Sequence, residues 1–105
     1  GGRWYGSCRD GAAGGRGYGV VLDAAGNAVE YLGEARNGLA SGQGGMITRT
    51  AGSAGAVYYE GRFARGLPDG VVRVEQPGGR ARIREFRAGR DVGSASAGDW
   101  QALAF

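Results

Sequence analysis

The sequence predicts an all-β protein: tandem β-hairpins in a single-layer, twisted antiparallel sheet, with a short C-terminal segment able to cap it. Three observations predict this. Glycines recur at fixed steps, an aromatic ring leads most copies, and the residues between ring and first turn alternate at strand period. In YLGEARNGLASGQG, Tyr31 leads glycines 33, 38, 42 and 44. WYGSCRDGAAGGRG repeats every step, with Trp4 leading glycines 6, 11, 15 and 17. YEGRFARGLPDG keeps Gly61, Gly66 and Gly70 after Tyr59, and Val72 replaces the last glycine. RIREFRAGRDVGSA keeps only Gly89 and Gly93, aligned by Phe86 in the place of Phe63. Positions 6, 33, 61 and 84 lie 27, 28 and 23 residues apart, which divides residues 1–105 into one domain of four copies, about 4–28, 31–57, 59–81 and 82–95, and a cap over 96–105.

Each copy reads as a hairpin. Strands are predicted near 4–9, 18–22, 29–36, 46–50, 56–64, 71–75 and 81–87. Tyr31, Gly33 and Ala35 fall on one face and Leu32, Glu34 and Arg36 on the other; Tyr59, Gly61 and Phe63 oppose Glu60 and Arg62 in the same way. One face is thus expected to be aromatic and the other charged. Asn37-Gly38 and Arg65-Gly66 supply the positive φ of a tight turn. The return strands, Tyr18 to Leu22, Met46 to Thr50 and Val71 to Glu75, are rich in strand-forming residues. A ring can lie across a neighbouring strand only where no side chain stands up, so ring and glycine are expected to act as one device. After a Ser/Ala/Gly stretch, Asp99 either N-caps a short helix placing Trp100 and Leu103 on one side or begins a final strand.

The pattern YxGxxxxGxxxGxG, complete in Tyr31 to Gly44 and led by Trp in Trp4 to Gly17, resembles the MORN (membrane occupation and recognition nexus) repeat. The resemblance covers about Trp4 to Ala95. It implies an elongated twisted sheet with a groove, and a role as scaffold, protein-binding module or phospholipid binder. The chain departs from the pattern at Cys8 and Ala35, where a larger apolar residue is common, at Val72, and at Arg82 and Arg84, which stand in the ring and glycine places of the fourth copy.

Composition narrows the chemistry. No histidine is present, which removes His-based acid/base work, the usual nucleophile activation and most zinc sites, and no metal or cofactor is expected. Glu30, Glu34 and Glu60 fall on the charged face without an implied cleft, and GSAG at 52–55 lacks the spacing of a nucleophile elbow, so an enzyme is not expected. Cys8 is the single cysteine and leaves the redox compartment open. All 13 basic residues are arginine, the net charge is +3, and no apolar run reaches membrane-spanning length. The chain does not begin with Met, so it reads as an excised or processed piece of a longer protein, in a cytoplasmic or membrane-peripheral setting.

Two candidate surfaces follow. Trp4, Tyr31, Tyr59, Phe63 and Phe86 would line one face, as a groove for an extended peptide or as the core of a one-layer sheet. Arg80, Arg82 and Arg84 alternate at strand spacing with Arg87 close behind, as an anion site for acidic lipid headgroups or as charges that end the array. The leading expectation is a non-catalytic module binding a protein or another part of its parent chain; the second is a peripheral binder of anionic phospholipids. GGRG at 14–17 serves the repeat, so nucleic acid is not an expected partner.

Overall fold

The structure, a computed structural model, describes residues 2–52, 54–92 and 102–105. It is one open antiparallel sheet of eight strands in sequence order: β1 (Gly2–Arg9), β2 (Ala12–Leu22), β3 (Ala28–Arg36), β4 (Leu39–Arg49), β5 (Val57–Ala64), β6 (Leu67–Glu75), β7 (Ala81–Arg87) and β8 (Arg90–Asp91). The tandem-hairpin, all-β reading is correct. Among the described residues there is no helix, and therefore none long and apolar enough to cross a membrane.

Four two-residue turns set the repeat. Both residues of Asp10-Gly11, Asn37-Gly38, Arg65-Gly66 and Ala88-Gly89 have positive φ, from 48° to 53° at the first and 79° to 84° at the second. That is the geometry whose twist matches the flanking strands. Strand pairing resumes directly on both sides, Arg9 with Ala12, Arg36 with Leu39, Ala64 with Leu67 and Arg87 with Arg90. The return strands are consequently longer than expected: β2, β4 and β6 begin at residues 12, 39 and 67 rather than 18, 46 and 71, and β8 was not foreseen.

Register shifts by two residues between Gly6 and Cys8, Gly33 and Ala35, and Gly61 and Phe63, which bends the sheet without exchanging its faces. Opposite each slip stands a glycine of positive φ, Gly15, Gly42 or Gly70. A bulge bends its strand and raises local twist. At the slip the two strands approach so closely that a Cβ on Gly33 would lie 2.5 Å from the Gly44 Cα and 2.6 Å from the Gln43 carbonyl. The hairpins are thus bent where the glycines stand, and their tips are tied copy to copy. The turn N–H of Gly38 donates to Ala13 O (2.9 Å), that of Gly66 to Ala40 O (2.8 Å) and that of Gly89 to Pro68 O (2.8 Å).

The buried residues share one face. Tyr31, Ala40, Met46, Phe63 and Leu103 form one cluster, and Val72, Val74 and Phe86 a second, with Tyr59 packed against both. Residues 102–105 meet the sheet through one antiparallel bridge, Ala104 with Leu39; the helix or strand expected from Asp99 and Trp100 lies outside the described residues.

Candidate functional site

Pairing puts Trp4, Gly19, Tyr31, Met46, Tyr59, Val74 and Arg82 in one cross-strand row on the inner face. Phe63 and Phe86 lie further toward the turns, on the same face. All five rings expected to share a face do so. They differ in exposure. Tyr31, Phe63 and Phe86 are buried, while Trp4 and Tyr59 are partly open. Tyr31 belongs to the core: its ring has no exposure and its hydroxyl donates to the Glu34 carbonyl. The Tyr59 hydroxyl bonds Thr48.

The ring-on-glycine device is present with its partners reassigned. The Tyr31 ring covers Gly44, where a Cβ would sit 2.6 Å from Cε1, and the Trp4 indole covers Gly17, at 2.5 Å from Cζ2. In the third copy Val72 occupies that place and is itself buried. The first glycine of each motif, Gly6, Gly33 or Gly61, instead faces the backbone of its paired strand.

What covers the rings is the chain's own C-terminal segment. Leu103 N–H donates to Gly66 O (2.9 Å), Ala40 N–H to Leu103 O (3.0 Å) and Phe105 N–H to Gly38 O (2.7 Å). The Phe105 ring stacks on Tyr31 at 5.6 Å and lies 5.1 Å from Trp4. It stands over Gly19, where a side chain would collide with it. Ala104 O also approaches Gly2 at the start of β1, so hairpin tip and strand start face each other across a trough holding this segment.

Burial, and secondarily the Glu34 carboxylate, push the Tyr31 phenol up to about 12. Neutral Tyr31 is favoured by folding, so its contribution is fully present below the ordinary value near 10 and falls away as pH climbs toward 12. Stability should therefore drop across that window, at roughly 1.4 kcal/mol per pH unit for one fully linked proton. Denaturant titrations at a series of alkaline pH values should show the slope, and Tyr31→Phe should reduce it, Tyr59, whose phenol burial also raises, carrying part of the remainder.

The outer face is not simply charged. Tyr5, Leu32 and Ile83 are well exposed there, and an open concavity of about 670 Å³ is lined by Tyr18, Leu32, Ile47 and Tyr58 around Gly17, Gly33, Gly44 and Gly45. The Tyr18 hydroxyl donates to Glu30 (2.7 Å), which with Arg49 at 3.3 Å holds that carboxyl below its usual range. The glycines that admit inner rings also leave this outer hollow, a consequence the repeat pattern did not announce.

Of the arginines, Arg82 pairs opposite Val74 and Arg84 opposite Val72, both toward the inner face, and with Arg80 they line a recess of about 290 Å³. Arg84 is held by Asp91 at 3.7 Å. Arg87 falls on the opposite face by strand alternation, so the four do not form one group. No protein-family model matches the chain, and no curated protein matches it significantly.

Proposed function

We propose that this protein is a non-catalytic, MORN-type interaction module that takes an extended peptide, from a partner protein or from its parent chain, on its aromatic face. One observation carries the reading. Four residues of the chain itself, 102–105, lie extended along that face, fastened by three main-chain hydrogen bonds and two inward side chains. Main-chain bonding plus alternate side-chain insertion is how sheets take up peptides generally. Rings that are partly open at Trp4 and Tyr59 extend the seat beyond the portion already filled.

The test is to titrate a library of extended apolar peptides into isotope-labelled protein and follow amide and indole signals. Binding is expected to shift Trp4, Tyr59 and the turn residues Gly38 and Gly66. Shifts confined to Tyr18, Leu32 and Tyr58 would move the working surface to the outer hollow and sink the reading. The recess at Arg80, Arg82 and Arg84 supports a second reading, anionic lipid binding. If it holds, co-sedimentation with phosphatidylserine vesicles will fall steeply with salt and vanish in Arg82→Ala/Arg84→Ala.

A further inference from the structure

We infer that the aromatic face reads a Leu-x-Phe sequence in an extended segment of a partner protein, and that residues 102–105 are a built-in competitor for the same seat. The inference rests on the peptide-seat reading above and names its ligand. Position for position, Gly19, Met46 and Val74 are equivalent, each eight residues beyond its turn glycine. The second and third copies fill that place with their own side chains, both buried. The first leaves it empty at Gly19, and the space is taken by the Phe105 ring between Trp4 and Tyr31. Gly19 is extended strand of ordinary φ, so no backbone demand explains a glycine there. A ring-sized vacancy in one copy of a repeat is a specificity pocket.

Leu103 enters a second pocket formed by Tyr31, Ala40, Met46 and Phe63 and is 5% exposed. Spacing between the pockets is set by the main chain. The turn glycine of each later copy offers a carbonyl: Gly66 O meets the Leu103 N–H and Gly38 O meets the Phe105 N–H. A bound strand thus advances two residues per hairpin, sends alternate side chains inward, and leaves residues such as Ala102 and Ala104 outside and unread. The track has a direction and a stop. Ala40 donates its N–H to Leu103 O, but the equivalent residue of the third copy is Pro68, which has none to give. Phe105 remains partly open, so its ring can be exchanged without unfolding the sealed cluster beneath.

The probe is a labelled peptide, Asp-Trp-Gln-Ala-Leu-Ala-Phe, followed by fluorescence anisotropy on the full chain. A tethered competitor acts at an effective concentration of about millimolar, so Leu103→Ala/Phe105→Ala should bind the peptide at least roughly tenfold tighter than the native chain. Adding Gly19→Met to that variant should abolish binding, and a peptide with Ala at both the Leu and Phe places should not bind. Equal binding of the two peptides would overturn the Leu-x-Phe assignment while leaving the peptide-seat reading intact. Binding of neither by a folded variant would overturn both. A native dimer that dissociates in Phe105→Ala would make a second copy the occupant and also overturn the assignment. Should the double variant not fold, Gly19→Met alone decides. It refills the pocket as Met46 does, so Phe105 ring signals should move to random-coil positions, and retention of the native shifts would remove the pocket from consideration.

Discussion

Phe63→Ala should be the most damaging side-chain truncation in the protein, at about 4 kcal/mol. Phe63 is 1% exposed and meets Tyr31 edge-on, with centroids 5.2 Å apart and planes at 82°. It shares its cluster with Ala40, Met46 and Leu103. Losing the ring removes its transfer free energy and leaves a cavity that a one-layer sheet has little second layer to collapse into. Domains of this size are stable by only about 5–15 kcal/mol, so the variant should lie close to its unfolding threshold at 37 °C. Phe86→Ala, in the smaller cluster with Val72 and Val74, should cost less. Urea denaturation of the two variants checks the ranking; equal midpoints would mean that the two clusters do not differ as described.

Gly33→Val should cost about 3 kcal/mol, and Gly61→Val a similar amount. The obstacle at both is backbone, not a movable side chain: the Gly44 Cα and Gln43 carbonyl at Gly33, and the Val71 carbonyl at 2.6 Å at Gly61. Relief requires the strands to part at the bulge, which also displaces Tyr31 from Gly44. Gly14→Ala is the control. Its Cβ would meet the Arg9 Cβ at 3.2 Å and the Arg9 backbone nitrogen at 3.6 Å, which a shift of a few tenths of an ångström relieves, so a loss of no more than about 1 kcal/mol is expected. Comparable losses at Gly14 and Gly33 in thermal melts would mean that loss of glycine's backbone freedom, not close approach, sets the cost.

The turns and the inner aromatic row were legible because both are written locally: two positive-φ residues fix a hairpin, and alternation fixes a face. The first halves of β2 and β4 were not, since Ala12-Ala13-Gly14 and Leu39-Ala40-Ser41-Gly42 carry small residues of low strand propensity that read as loop. They pair because the bulge glycines bend the strand instead of ending it. Arg87 was grouped with Arg82 and Arg84 by proximity in sequence, although alternation sends it to the other face. The occupied trough was the least legible part. Leu103 and Phe105 reach partners some forty to a hundred residues earlier, and the one trace in the sequence was a glycine at 19 where its equivalents are Met46 and Val74.

The strip of chain from Leu103 to Phe105 changes how the array must come apart. Linear repeats exchange amide hydrogens fastest at their ends, because an end copy has one neighbour and frays alone. Here the bonds to Gly66, Ala40 and Gly38 and the ring between Trp4 and Tyr31 clasp the third, second and first copies together. Opening β1 exposes the Phe105 ring and loosens its hold on Gly38, so the first hairpin cannot peel away without taxing the middle of the sheet. Amides of β1 and β2 should exchange as one cooperative unit with β3 to β5, while β7 and β8 follow a faster, separate opening.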